Sequence, residues 1–351
     1  MPRALVIGDG IAGLGAAIVL ARAGWRVDCA RLSQRRDFAR AQAQFTSPGV
    51  IAQLELLTGG SLGGWALGPA AIWDASGRRE DSARPIVSVD AMRRALRERA
   101  DSFQVALFEA SNLAVRADGG AAWCWRSGGP VLSCDLVVDA RCSAAEPGQL
   151  PGLQVQSDEL FGAFRCWRWT GVSDGCEGAW MLAASGMPRA EMLIRGPDAD
   201  LQLMMCDTGD VPPDPVAALD RLLLGAGASW LPRLGRIVLE PDALWHGRPL
   251  ARRRRVAATG AMPPLVLIGA ALIQTAPWLG QGIAQIAEQL AALSAALAAG
   301  TPPEGLIGAV QPLADRRWAA LELRHALGPG VTGGGGWPGR CKDRDMAHAA
   351  R

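Results

Sequence analysis

Three glycines near the amino terminus, Gly8, Gly10 and Gly13, follow the spacing GxGxxG. An apolar run from Ala4 to Ile7 precedes them, and Ala16, Ala17, Leu20 and Ala21 recur after them at helical spacing. Glycines so placed serve phosphate chemistry. Gly8 allows a tight turn, Gly10 lets backbone approach a pyrophosphate, and Gly13 lets the helix pack on the strand. The helix start around Ile11, Ala12 and Gly13 then turns N–H groups and a partial positive charge toward the phosphates. A glycine turn without a ligand is the plain alternative. The strand before, the helix within and a second strand after, "WRVDCA", favour a dinucleotide.

The end of that second strand normally offers an acid to the adenosine ribose. Here the position is Arg31, with Arg35 and Arg36 close by. An arginine can meet a phosphate instead, as in NADP sites, or stand exposed at the strand end. Both readings stay open on sequence.

A second glycine turn, "GAALIQTAPWLGQG", occupies residues 269–282. The buried strand "LVLIG" leads into it, and small and aliphatic residues recur at helical spacing from Ile283 to Leu297, where Gly300 ends the pattern. The backbone N–H groups of Gly280, Gln281 and Gly282 therefore stand at a helix start. That setting suits the pyrimidine edge of an isoalloxazine, which gains negative charge on reduction.

Together these segments resemble the flavoprotein monooxygenase superfamily of p-hydroxybenzoate hydroxylase, with its relatives the flavin-dependent halogenases and geranylgeranyl reductases. The family motif, Gly-Asp and then Pro-x-x-Gly-Gln-Gly, is matched by Gly269, Pro277, Gly280, Gln281 and Gly282. "CDLVVDARCSAA" (134–145) resembles the family strand ending in Asp-Ala-x-Gly, with Asp139 and Ala140 in place. "SPGVIAQLELLTG" (47–59) and "SVDAMRRALRERA" (88–100) resemble two family helices. The resemblance implies an FAD site lined by Gly8, Gly10, Ile11, Ala12, Gly13, Arg31, Asp139, Gly269, Ala270, Pro277, Gly280, Gln281, Gly282 and Ile283. It also exposes departures. The family aspartate on the ribityl chain is Ala270, the asparagine past the last glycine is Ala284, a flavin-contacting arginine is Val89, and the glycine after Asp-Ala is Cys142. Each lost hydrogen bond costs about 0.5–1.5 kcal/mol of affinity.

The elements that must position these residues are those of an α/β protein. The expected architecture is a Rossmann-like FAD-binding domain, a parallel sheet with helices, interleaved with an antiparallel β-sheet substrate domain. Residues 1–60, 88–154 and 255–327 are assigned to the first, 61–87 and 155–254 to the second, and 328–351 to a flexible tail. "LFGAFRCWRWTGV", "AEMLIRG" and "DLQLMMCDTG" read as strands, and the proline-started stretch over 213–234 reads as an amphipathic helix. Trp167 and Trp169 fall on one strand face. They either wall a flat substrate or pack the sheet. Trp278, inside the flavin turn, is a candidate contact for flavin or substrate. "ARRRRVAA" (251–258) reads as a solvated charge run, with attraction of an anion as the alternative.

Composition narrows the classes. The 351 residues carry a net charge of +2, which gives no whole-chain argument for nucleic acid. The eight cysteines form no CxxC pair and the three histidines are dispersed, so no metal site is expected. The first strand begins almost at once, leaving no room for a secretory leader, and Pro277, Gly280 and Glu288 interrupt the longest apolar stretch. A cytoplasmic protein without a transmembrane segment is expected.

The family resemblance implies an FAD-dependent monooxygenase hydroxylating a phenol- or indole-like aromatic through a flavin C4a-hydroperoxide, with O2 and with NAD(P)H as a transient reductant. A small-molecule substrate is expected, protein-borne tryptophan is a further option, and a reductase or a homodimer is a possible partner. A flavin reductase or dehydrogenase of the same fold is the runner-up. A binding protein with weakened FAD contacts, and an NADP-dependent reductase using Arg31, are further alternatives. Halogenation is disfavoured, because family halogenases need a lysine by the flavin and the sole lysine is Lys342 in the tail.

Overall fold

The computed structural model describes residues 1–32, 43–61, 66–74, 79–110, 113–118, 121–126, 131–141, 153–160, 162–169, 180–186, 189–195, 201–207, 216, 219, 242–247, 251–258, 264–275 and 281–327. The chain opens with β1 (Arg3–Ile7), α1 (Ile11–Arg22) and β2 (Arg26–Leu32). β3 (Ala43–Phe45), α2 (Pro48–Thr58), β4 (Ala66–Asp74), β5 (Arg79–Ser88) and α3 (Val89–Ser102) follow. Next come β6 (Ala106–Ala110), β7 (Leu113–Asp118), β8 (Ala121–Arg126), β9 (Val131–Cys134) and β10 (Leu136–Asp139). The middle holds β11 (Leu153–Leu160), β12 (Ala163–Trp169), β13 (Trp180–Gly186), β14 (Arg189–Arg195), β15 (Leu201–Asp207), β16 (Asp242–Gly247) and β17 (Ala251–Ala258). The chain then runs through β18 (Leu265–Leu267), a 3-10 turn (Gly269–Ala271), β19 (Ile273–Gln274), α4 (Gly282–Ala298) and α5 (Leu306–Leu327).

Five strands form an all-parallel sheet in the order β18-β10-β1-β2-β6. β1, β10 and the edge strand β18 are buried along nearly their whole length, as parallel strands covered on both faces must be. α1 is apolar on every side, and Ile11 to Leu20 are all buried. It packs against the sheet, α2, α3 and α4. Gly15 is the point of closest approach to α4: a β-carbon there would stand 2.5 Å from a Leu290 methyl.

Helix starts follow their sequence signals. Ser47 caps α2 by accepting from the Val50 N–H at 3.3 Å, with Pro48 opening the helix. Ser88 caps α3 by accepting from the Ala91 N–H at 3.2 Å.

The second layer is an eight-stranded sheet, β16-β12-β15-β14-β13-β4-β5-β3. Its pairings are antiparallel except one, β4 beside β13. Among the described residues, two three-stranded sheets, β7-β8-β9 and β11-β17-β19, hold the remaining strands. The α/β class with a Rossmann-like parallel sheet and separate, mostly antiparallel sheets is the architecture expected from sequence.

The arginine run 251–258 departs from expectation. It is β17, paired with β11 on one side and β19 on the other. Arg253 and Arg254 are 6% and 3% exposed, so the centre of the run is buried, while Arg255 stays exposed. Arg253 Nη2 reaches Asp158 at 2.8 Å and its Nη1 reaches Asp315 at 3.0 Å. The guanidinium lies 5.2 Å from the centroid of the buried Trp318 ring. Acids on β11 and α5 thus neutralise a charge that a sequence window sees as unpaired. The tail 328–351, and the helix expected over 213–234 apart from the helical Val216 and Leu219, lie outside the described residues.

Candidate cofactor site

The first glycine turn stands at the carboxyl end of β1. Gly8 has φ +113°, and a β-carbon there would meet the Ala140 carbonyl oxygen at 2.9 Å. Its N–H donates to the Ala30 carbonyl at 2.8 Å, which ties the turn to β2. A β-carbon on Gly13 would stand 1.8 Å from the Gly8 carbonyl oxygen, so only glycine lets α1 start this close to the strand. Around Gly10 the case is the reverse, because nothing among the described residues lies within 4 Å of where a β-carbon would be. Gly10 is also the N-cap of α1 and makes no side-chain cap bond. The result is a helix amino terminus with open space in front of it, the shape and polarity that a pyrophosphate requires.

Charged side chains ring this turn. Asp9, between the first two glycines, has its Oδ2 3.8 Å from Arg31 Nε and 3.6 Å from Arg93 Nη1. Arg31 Nη1 also approaches Glu109 on β6 at 3.7 Å. Arg93 Nη2 approaches Asp90 at 3.6 Å, while Arg94 closes on Asp90 at 2.7 Å. Val89 is buried at the start of α3, and Arg93 stands one helical turn beyond it. Beneath the turn, the Cys29 thiol donates to the Gly8 carbonyl at 3.7 Å. Burial, and secondarily the nearby Asp9 charge, push this thiol up to about 12.

Asp139 ends β10, beside the turn. Its buried carboxylate is engaged by the residue two positions on: Arg141 donates from Nε to Oδ1 at 2.9 Å, from Nη2 to Oδ2 at 2.6 Å and from its backbone N–H to Oδ1 at 3.0 Å. The Asp139 carbonyl accepts from the Ile268 N–H at 3.0 Å, which couples this strand end to the second glycine turn.

That second turn is pinned from α4. Gly269 has φ +64°, and a β-carbon on it would come 2.7 Å from the Ala12 β-carbon. Its N–H donates to Gln289 Oε1 at 2.6 Å, and Gln285 Nε2 donates to the Ile273 carbonyl at 2.9 Å. Ala270 is half-buried in the 3-10 turn, with no acid in its place. At the start of α4, Gln281 is an N-cap without a side-chain cap bond. The Gln281 Oε1 accepts from Arg317 Nη1 at 3.4 Å instead. A β-carbon on Gly282 would sit 3.6 Å from Gln44 Oε1, so β3 borders this second helix start. Nearby in sequence, Thr46 Oγ1 is buried with no partner among the described residues, as are Gln285 Oε1 and Trp169 Nε1. Ile283 is buried and Ala284 half-buried.

The structure thus brings Gly8, Gly10, Ile11, Ala12, Gly13, Arg31 and Asp139 around one turn, with Gly269 and Ala270 against it. Gln281, Gly282 and Ile283 form the start of α4. Pro277, Trp278, Gly280 and Cys142 lie outside the described residues. Trp167 and Trp169 lie in β12, inside the large sheet between β15 and β16, and are 5% and 1% exposed. That burial accords with sheet packing. Sequence reading passed over Asp9, Arg93 and Arg141. Arg93 had a usable signal, its place four residues after Val89 on one helix face; Asp9 occupied a position that the glycine spacing leaves unspecified.

Among the described residues no helix is long and apolar enough to cross a membrane, and no group of histidine, cysteine and acidic side chains could hold a metal. No family model and no curated protein matches the chain. Solved structures do. One described as peptidyl tryptophan dihydroxylase QhpG, essential for tryptophylquinone cofactor biogenesis, matches at TM-score 0.67 and 18% identity over 95% of this chain and 76% of that one. CtdE in complex with FAD matches at TM-score 0.66 and 15% identity over 93% of each chain. 2-Methyl-3-hydroxypyridine-5-carboxylic acid oxygenase matches at TM-score 0.63 and 20% identity over 95% of this chain and 94% of that one. The chain therefore has the fold of the FAD-dependent oxygenases, along nearly its whole length.

Proposed function

We propose that the protein is an FAD-dependent oxidoreductase, a monooxygenase that hydroxylates an aromatic substrate. The observation that carries the reading is the cradle at Gly8, Gly10 and Gly13, open and uncapped in front of α1, within a fold shared with an FAD-bound structure. The residues present fit the cofactor's phosphates. Gly10 leaves room for the pyrophosphate, the α1 start turns N–H groups to it, and Arg31 and Arg93 supply positive charge. At the other end, Gln281 and Gly282 start α4 beneath Gln44, where a helix amino terminus favours a group that gains negative charge.

When bound, FAD supplies two-electron redox chemistry and the activation of O2, with NAD(P)H as the proposed reductant. The chain's own task is to hold, orient and keep dry. Gln289 and Gln285 fix the 269–275 segment from α4, so the two glycine turns keep their separation. In this reading the large, mostly antiparallel sheet is the cover that keeps water from a flat substrate, while Trp167 and Trp169 pack inside it. The domain division described above and a cytoplasmic setting belong to the same reading.

The aromatic substrate class is supported by the neighbours' names, which include a pyridine carboxylic acid oxygenase and an enzyme acting on peptidyl tryptophan. A second reading, a family member with weakened FAD binding, is favoured by one observation: the Asp139 carboxylate is closed by Arg141 rather than open to a ligand. The test is O2 consumption by FAD-loaded protein with NADH or NADPH, read together with peroxide release. O2 uptake that phenols or indoles stimulate supports the oxygenase. NAD(P)H oxidation over many turnovers without O2, matched by two-electron reduction of an added organic acceptor, would replace it with the reductase reading.

A further inference from the structure

Asp9 sits where a dinucleotide turn has no need of an acid. It lies at the mouth of α1, beside the open space at Gly10, where arginines from β2 and α3 converge on it. Those two contacts are long, 3.8 Å from Arg31 and 3.6 Å from Arg93. The second acid on each arginine is equally distant, 3.7 Å for Glu109 and 3.6 Å for Asp90. Elsewhere in the same region the pairs are closed: Arg94 meets Asp90 at 2.7 Å and Arg141 meets Asp139 at 2.6 Å. Arg31 and Arg93 are therefore drawn toward Asp9 without being hydrogen-bonded to it. They are also partly withdrawn from water, with side-chain exposures of 31% and 18%.

We propose that Asp9 is a built-in surrogate for the cofactor pyrophosphate, holding Arg31 and Arg93 at the phosphate position and competing with the phosphates for them. The inference rests on the FAD reading above. Arg93 then supplies, one helical turn later, the cation that position 89 does not. A guanidinium engages phosphate oxygens at shorter range and with two donors, so both arginines gain by exchanging the carboxylate for a pyrophosphate. Asp9 resists that exchange, because its own charge remains beside the incoming phosphates. The turn therefore binds phosphates more weakly than its arginines and helix start would allow.

The test uses the full-length protein and three ligands: FAD, ADP and riboflavin, which has no phosphate. Asp9→Asn should tighten FAD and ADP about tenfold, or about 1.4 kcal/mol, and leave riboflavin unchanged. Arg93→Gln should weaken FAD and ADP about tenfold, and in the double variant the gain from Asp9→Asn should shrink. Unchanged or weaker ADP binding by a folded Asp9→Asn variant overturns the proposal while FAD binding by the wild type keeps the function reading. Should Asp9→Asn fail to fold, Arg93→Gln decides alone, and ADP affinity equal to wild type overturns the proposal. If the wild type binds neither FAD nor ADP, binding gained by Asp9→Asn supports the surrogate. No binding by either protein overturns both readings.

Discussion

Gly269 and Ala12 touch across the site: a β-carbon on Gly269 would come 2.7 Å from the β-carbon of Ala12. The contact joins the two glycine turns, one at the start of α1 and the other after β18. Their separation is therefore set by backbone and methyl packing rather than by a flexible polar bridge. Gly269→Ala combines that clash with a φ of +64°. We expect a loss of about 1–3 kcal/mol in unfolding free energy, read by urea denaturation. Ala12→Gly in the same chain should restore part of it, because it removes the methyl that the introduced side chain would strike; no restoration would mean that the cost is backbone strain alone.

Gly13 is less forgiving. Its β-carbon would stand 1.8 Å from a backbone oxygen, that of Gly8, which cannot swing aside as a side chain can. Gly13→Val is expected to weaken FAD or ADP on the order of a hundredfold, about 2.7 kcal/mol, by pushing α1 off the turn. Calorimetric titration measures it, and near-wild-type affinity would show that phosphates do not use this turn.

How much of this was legible in the sequence follows from which interactions are local. The first glycine turn and the buried strands β1, β10 and β18 follow from short-range spacing and periodicity, and all were readable. The pairing of Arg253 was not. Its acids, Asp158 and Asp315, stand 95 and 62 residues away, and no window contains them. The same holds for Arg31, whose neighbours Asp9 and Glu109 come from the turn and from β6. Arg93, one helical turn beyond the buried Val89, stands beside Asp9 of the first glycine turn, a placement that a position-by-position comparison does not register.

Arg253 tests the long-range part. It ties β17 to β11 and α5 and lies over Trp318. Arg253→Met keeps most of the volume and removes the charge. Asp158 and Asp315 remain part-exposed, at 38% and 42%, so water compensates them and the cost stays below that of a stranded buried charge. A loss of about 1–3 kcal/mol is expected, read as a lower denaturation midpoint.

Cys29 gives a pH prediction. Burial raises its thiol from 9.0 in the unfolded chain to about 12 in the folded protein. The neutral thiol is thus favoured by folding. Its contribution is fully present below pH 9.0 and is lost as pH rises toward about 12, because the unfolded chain gives up its proton first. Cys29→Ala should flatten the alkaline fall in stability relative to wild type. An equally steep fall in both proteins would assign it to other groups.

The most direct measurement of the central claim is titration of the purified protein with FAD, followed by flavin fluorescence and by the visible band near about 450 nm. The account predicts saturable binding of one FAD per chain, displaced by ADP and weakened on the order of a hundredfold in Gly13→Val. No binding at FAD concentrations on the order of 1 mM, or binding that ADP leaves in place, would contradict it.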